Sequence, residues 1–561
     1  MSKSIASNPV EGIKAASNFL RGTLQESLLD GATGTITDDD SQLSKFHGIY
    51  QQDDRDVRED RRRQKLEPDH SFMIRARVPG GICTPQQWLA LDAIATTWAN
   101  HSLRLTTRQA FQFHGVLKRD LKQSIRSIND SLLDTIAACG DVNRNVMCTA
   151  LPELSKLHTQ VYAAAAAVSE HLTPNTRAYH EIWLDKKKVS DNQDVEPIYG
   201  DVYLPRKFKI AFAIPPHNDV DVLAHDLGFV ATANGDQLTG FTVTVGGGMG
   251  ATHGDPTTYP LLAENIGWCL PDQVNEVSEA IVTIQRDFGN RESRKHARFK
   301  YTVEKLGLDW IRKELERRLG YALEPARPYV FTKNGDDFGW TQSDDGLSHL
   351  LLFTQNGRLE DTGFASQLTG MREIARVHTG DFRLTPNQNV VIANVHESQV
   401  AVINALAKKH GLDSYKQLSS LRLHSIACVA LPTCGQAMAE AERYLPDLID
   451  KIEQQLETHQ LQDQAITIRM TGCPNGCARP YLAEIGLVGK APGRFNLHLG
   501  ASYEGTRLNR MLLENADETQ ILGALDKLFE EYGANRITGE FLGDYFVRSQ
   551  QSTATAEQRD V

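Results

Sequence analysis

The chain is 561 residues long, with 60 Lys+Arg against 71 Asp+Glu and a formal net charge of −11. With 40% hydrophobic and 23% charged residues it has an ordinary globular composition. That excludes collagen-like, wholly disordered and disulfide-stapled classes and allows about three to four domains. The acidic balance argues against a general nucleic-acid binder while leaving local basic pockets open.

Met1–Ser7 leads into polar sequence with no apolar segment of a secretory signal. The longest apolar stretch, Val161–Val168, is far below the ~20 residues of a membrane span. The default expectation is a cytoplasmic protein whose eight cysteines stay reduced. Residues 1–65 read as a charged extension, because Asp38–Asp40 and Gln51–Lys65 carry dense charge without apolar periodicity. A partly disordered solvated arm or a docking segment for a partner is expected there. Residues 549–561 read as a disordered tail.

Between these ends lies an internal repeat. Leu103–Val116 (LRLTTRQAFQFHGV) matches Phe382–Val395 (FRLTPNQNVVIANV) at five of fourteen positions, at an offset of 279. CTALP at 148–152 answers CVALP at 428–432 with four of five identical, at an offset of 280. Two matches at nearly one offset indicate a duplicated unit. Each copy begins with a β-rich run, Phe72–Val78 and Leu350–Thr354. A helix follows, capped in the first copy by Thr84 with Pro85 at its first position, and spanning roughly Ala365–Val377 in the second. The Arg-Leu-Thr stretch then alternates as a half-buried strand does. Long helices are expected at about Ser155–His171 and Ala437–Glu457, with strands at Lys207–Ile214 and Ile466–Met470. The expectation is an α+β fold with pseudo-two-fold symmetry and a site between the copies.

Four cysteines cluster as Cys428-x5-Cys434 and Cys473-x3-Cys477, with 38 residues between the pairs. Pro474, Asn475 and Gly476 build a turn in the second pair. Buried structural thiols, a zinc site and an iron–sulfur cluster are the competing readings. The x5 gap falls outside the usual zinc knuckle, whereas a [4Fe–4S] core needs four Cys and tolerates varied spacing.

A basic set lies mainly in the first copy: Arg75 and Arg77, then Arg104, Arg108 and His114, then Arg144 within Asn143-Arg144-Asn145. Lys207 and Lys209 follow Arg206 on one face of an expected strand, and Arg294, Lys295, Arg298 and Lys300 lie within 293–301. Any single one reads as a solvated charge. An acidic protein that gathers so many beside Phe and Ile is expected to hold a polyanion. In the second copy Arg108 becomes Asn387 and His114 becomes Ala393, while only that copy has all four cysteines. One half thus reads as an anion holder and the other as a metal holder. Gly246–Ala251 formally fits a dinucleotide fingerprint, but Thr252–Pro256 cannot continue as a helix, so a Gly-rich turn against a neighbour is expected.

Thr-Gly-Cys473-Pro-Asn-Gly-Cys477, Cys428-x5-Cys434, Asn143-Arg144-Asn145-Val146, Leu-Pro-Arg206-Lys207-Phe-Lys209 and the duplicated Arg-Leu-Thr stretches together resemble the sirohaem-containing sulfite and nitrite reductases. The resemblance covers nearly the whole chain, including Tyr50–Asp56 (YQQDDRD). It implies three lobes around a central site: paired ferredoxin-like half-domains at 66–136 and 339–412, a sirohaem and sulfite lobe at 137–338, and a cluster lobe at 413–548. It implies one [4Fe–4S] cluster on Cys428, Cys434, Cys473 and Cys477, with Cys477 also the axial ligand of sirohaem iron. It implies Arg104, Arg108, Gln112, His114, Arg206, Arg294, Lys295, Arg298, Lys300, Asn475 and Arg479 as sirohaem partners. Arg75, Arg144, Lys207 and Lys209 would bind sulfite on the distal face. The implied activity is six-electron reduction of sulfite to sulfide, with electrons from a partner NADPH flavoprotein subunit. A ferredoxin-dependent sulfite or nitrite reductase of the same family and a zinc-stabilised anion-binding protein are the alternatives.

Overall fold

The computed structural model describes residues 8–150, 155–186 and 194–557. Twenty strands fall into four consecutive sets of five. The first set is β1 (Ile49–Asp53), β2 (His70–Ala76), β3 (Ile82–Cys83), β4 (Ser102–Leu105) and β5 (Phe111–Val116). The second is β6 (Met147–Cys148), β7 (Ile210–Ala213), β8 (Leu227–Asn234), β9 (Gln237–Val245) and β10 (Glu264–Cys269). The third is β11 (Gly339–Gln342), β12 (Ser348–Leu352), β13 (Arg358–Glu360), β14 (Asp381–Leu384) and β15 (Val390–Val395). The fourth is β16 (Ser425–Ala427), β17 (Ile468–Thr471), β18 (Ile485–Ala491), β19 (Arg494–Leu499) and β20 (Arg510–Ala516).

The duplication is explicit in the sheet topology. The second and fourth sets each form a sheet in simple chain order, with two parallel pairings followed by two antiparallel ones. The first and third sets exchange a strand: the sheets run β1-β2-β5-β4-β13 and β11-β12-β15-β14-β3. Thus β13 closes the first copy's sheet and β3 closes the second's. Between them Trp88, on the helix Pro85–Trp98, packs against Phe111 of one copy and Phe382 of the other, with ring centroids 5.4 and 4.7 Å away. That helix starts as expected, with Thr84 and Gln87 forming a capping box.

Several expectations change. The Arg-Leu-Thr stretches are hairpins rather than single strands, β4–β5 and β14–β15, each turning at a glutamine with left-handed backbone (Gln109 and Gln388). Apolar alternation continues across both arms, which hides the turn. The helix expected from Ala437 begins at Leu445, because the small residues Ala437, Ala439 and Ala441 pack as irregular chain in the core. Lys207 and Lys209 precede β7 and flank Phe208, which bridges to Asn143.

The described part of the N-terminal extension, residues 8–65, is not a solvated arm. It forms helices Pro9–Ala16, Leu24–Leu29 and Asp38–Leu43, and its β1 pairs with β2. Leu20, Leu24, Leu43, Phe46 and Ile49 enter the main core. Its charges find distant partners, as when Lys14 donates to Leu204 O at 2.8 Å. Only the helix Arg58–Arg63 keeps every residue out of the core. At the other end the helix Leu542–Glu557 runs through most of the expected tail, and 558–561 lie outside the described residues. No described helix is long and apolar enough to cross a membrane.

Candidate functional site

The four clustered cysteines lie on two loops that leave the parallel strands of the fourth sheet. Cys428 follows β16, and Cys473 follows β17. Parallel neighbours send their C-terminal ends to one edge, so the two loops meet there. Cys428 Sγ accepts from the backbone N–H of Gly472 at 3.3 Å, and the Asn475 amide lies 3.7 Å from Cys473 Sγ. Burial, reinforced by the charge of Cys477, pushes the Cys428, Cys434 and Cys473 thiols upward, the last to about 12. Thiols so placed ionise readily only against a metal, and N–H donors to sulfur are what a cluster-bearing thiolate uses.

Cys477 is the exposed member of the set. It acts electrostatically on the other three cysteines and also on Arg75, Lys207 and Lys209. Its carbonyl accepts from Thr107 Oγ1 at 2.9 Å. The turn before it needs Gly476, whose backbone is left-handed and whose added Cβ would meet Met249 O at 3.1 Å. That neighbour belongs to the glycine-rich loop 246–251, which also donates from Ala251 N to Pro474 O at 2.9 Å. The loop therefore braces the cysteine turn and opens no helix.

The basic residues fall into two groups. One group is braced by carboxylates or, for Lys300, by backbone carbonyls. Arg294 makes two bonds to Asp141, at 2.8 and 3.1 Å, and Arg206 lies 3.6 Å from the same carboxylate. Arg298 pairs with Asp226 at 2.9 Å, and Lys295 with Asp255 at 3.1 Å. Arg104 donates to Glu442 at 2.8 Å and to the carbonyls of Asn356 and Ala427, both at 3.0 Å. Arg479 pairs with Asp221 and donates to Thr107 O and Pro386 O at 3.1 and 3.0 Å, tying the cysteine turn to the hairpin tips of both copies. Lys300 donates to the carbonyls of Gly248, Gly250 and Tyr259. Arg104, Arg479 and Lys300 thus also act as internal ties. A buried cation without a protein partner costs several kcal/mol, and these three are almost completely satisfied within the fold.

The other group has no carboxylate at ion-pair distance among the described residues: Arg75, Arg108, Arg144, Lys207 and Lys209. Arg75 and Arg144 share the carbonyl of Ala138, at 3.3 and 3.1 Å, and Arg75 also reaches Cys139 Sγ at 2.8 Å. Arg108 leaves Nε and one terminal nitrogen without a partner, and Arg75 Nε, His114 Nδ1 and Asn143 Oδ1 are likewise buried and unpaired. Burial pushes Lys207 down to about 7, with Arg206 and Arg298 adding repulsion, and Lys209 falls well below the ordinary lysine range. Burial also pushes Arg108 down to about 9 and keeps His114 neutral. Gln112 is buried with its amide 3.5 Å from Met73 Sδ. A buried set of orphaned polar atoms and cations without carboxylate partners suits a polyanion. Sequence reasoning missed Cys139 and the bracing carboxylates Asp141, Asp221, Asp226 and Glu442. The available signal was the number of arginines in apolar surroundings, since a buried guanidinium is stabilised by a counter-charge or by backbone carbonyls.

Duplicated half-domains with an exchanged strand, joined to a four-cysteine set and a group of buried cations, point to a class of redox enzyme. A family model described as the nitrite/sulfite reductase ferredoxin-like half domain matches residues 63–130 and 341–410. Another, described as the nitrite and sulphite reductase 4Fe-4S domain, matches residues 163–323. The chain belongs to the nitrite and sulphite reductase family. The 163–323 match contains only Cys269, and the four-thiol set sits in the later set of strands with the same topology. The chain is 58% identical over 549 residues to the sulfite reductase [NADPH] hemoprotein beta-component of Myxococcus xanthus, covering 98% of each. It is 58% identical over 542 residues to that of Anoxybacillus flavithermus, covering 96% of this chain and 95% of the other. It is 57% identical over 548 residues to that of Xanthomonas oryzae pv. oryzae, covering 97% and 96%. The solved structure of Mycobacterium tuberculosis NirA aligns with a TM-score of 0.78 at 24% identity over 97% of both chains, which shows the shared fold.

Replacing Cys434 by serine should remove most of the non-haem iron while the protein stays folded. Iron analysis and circular dichroism check this, and full iron retention would contradict the ligand set.

Proposed function

We propose that this chain carries out the six-electron reduction of sulfite to sulfide as the haemoprotein component of an assimilatory, cytoplasmic NADPH sulfite reductase serving cysteine biosynthesis. Full-length identities of 55–58% to proteins of that name support it. The observation that carries the reading is Cys477, the exposed member of the four-thiol set, which interacts electrostatically with the other thiols and with Arg75, Lys207 and Lys209. The beta-component name of the relatives points to a partner subunit, for which a flavoprotein is the chemically suitable donor.

The residues present fit a [4Fe–4S] cluster and a sirohaem, as the four thiols, the N–H donors to sulfur and the orphaned guanidinium atoms indicate. Cys428, Cys434, Cys473 and Cys477 would hold the cluster, and Cys477 would also hold the sirohaem iron. Arg108, His114 and Gln112 would meet sirohaem, and Arg206, Arg294, Lys295 and Arg298 would bind its carboxylates. When bound, the pair supplies one-electron transfer to a single coordination position.

The protein's part in the reaction follows from charge. Arg75 and Arg144, fixed on the shared Ala138 carbonyl, present two guanidinium forks to sulfite oxygens without needing to reorganise. When protonated, Lys207 and Lys209 add positive charge that offsets the repulsion between an anionic substrate and an electron-rich site. Three oxygens leave as water, so each needs protons. A lysine near 7 holds its proton loosely enough to give it up at neutral pH.

Lys209→Ala should impair sulfite turnover at least tenfold while the absorption of bound haem stays intact; loss of sirohaem in this variant would overturn the distal role. The Lys207 charge is lost as pH rises through about 7, so kcat/KM for sulfite should fall on the alkaline side. Lys207→Arg keeps its charge and should extend activity to higher pH. The ratio of the two pH profiles, which cancels sulfite's own ionisation, checks this, and a flat ratio would refute it.

A further inference from the structure

Glu442 lies on the irregular chain after the first cysteine pair, and its carboxylate is clamped by two arginines from another lobe. Arg104 donates to it at 2.8 Å, and Arg358 binds it through Nε and, at 3.2 Å, through a terminal nitrogen. The two arginines face each other in register across β4 and β13, the pairing created by strand exchange between the copies. The backbone of the same segment is held too: Glu442 N donates to Cys428 O at 3.1 Å, and Asn356 donates to Glu442 O at 2.8 Å. Arg104 closes the loop by donating to Ala427 O, next to Cys428, at 3.0 Å. It also acts electrostatically on Cys428 and Cys477. Side-chain exposures of 2% for Arg104 and 11% for Glu442 leave little water to screen these charges.

We propose that Glu442 is a positioning residue of the metal centre, and that the Arg104–Glu442–Arg358 triad sets the cluster's reduction potential. This rests on the assignment of the four cysteines as cluster ligands. Adding one electron makes the cluster more negative by one charge. Nearby cations favour that step and nearby anions oppose it. The triad carries a net charge of +1 from two guanidiniums and one carboxylate, so removing either kind of charge should move the potential, and in opposite directions. A contact that only holds the loop would not produce opposite signs.

The test is an EPR-monitored reductive titration of the purified, cofactor-loaded protein and of two charge-removing variants. Glu442→Gln should shift the cluster midpoint to a more positive potential, and Arg358→Gln to a more negative one. Glu442→Asp, which keeps the charge, should titrate close to the wild-type protein. Unchanged midpoints, or shifts of the same sign in both Gln variants, would overturn the proposal. If Glu442→Gln does not retain its iron, Arg358→Gln decides alone: a midpoint equal to or above that of the wild-type protein refutes the charge role. Failure of the ligand assignment shows separately, as iron retained in Cys434→Ser.

Discussion

The structure depends on one electrostatic constraint, the burial of many cations around a patch of thiols. Each buried ion costs several kcal/mol unless it is paired or hydrogen-bonded. The fold meets this cost selectively. Asp141, Asp221, Asp226 and Glu442 brace Arg294 and Arg206, Arg469 and Arg479, Arg298, and Arg104 and Arg358. Arg75, Arg108, Arg144, Lys207 and Lys209 are left without such partners among the described residues. The division between the two groups marks where an anionic ligand would complete the charge balance.

The braces also join the lobes. Asp221 lies in the lobe of the second strand set, yet it holds Arg469 of β17 and Arg479 of the cysteine turn. Arg479 in turn contacts the hairpin tips of both copies. Glu442 receives its two arginines from strands that meet only because β13 crosses to the first copy's sheet. Duplication with strand exchange therefore does more than enlarge the core. It brings side chains some 250 residues apart in the chain onto one carboxylate, as with Arg104 and Arg358.

Much of this was legible in the sequence, and the limits were physical. The repeat, the Thr84 cap, the helix Ser155–His171 and the four-cysteine set all rest on local signals: spacing, capping chemistry and self-similarity. The strand exchange was not legible, because β3 and β13 are two and three residues long and carry no periodicity. The N-terminal segment looked solvated because its few apolar residues are scattered among charges. Their partners, such as Leu204 O for Lys14, lie far along the chain. The same non-locality hid the distinction between braced and unbraced cations. Composition shows that arginines are present, whereas only the fold shows which of them Asp141 or Glu442 has already neutralised.

The most direct test of the account is the visible spectrum of the purified chain loaded with iron and sirohaem, read together with sulfide formation from sulfite under an artificial reductant. The account requires a Soret-type band with cluster absorption and release of sulfide. A protein that shows no such band after reconstitution would contradict the central claim that the unbraced cations and Cys477 form one anion-holding redox site.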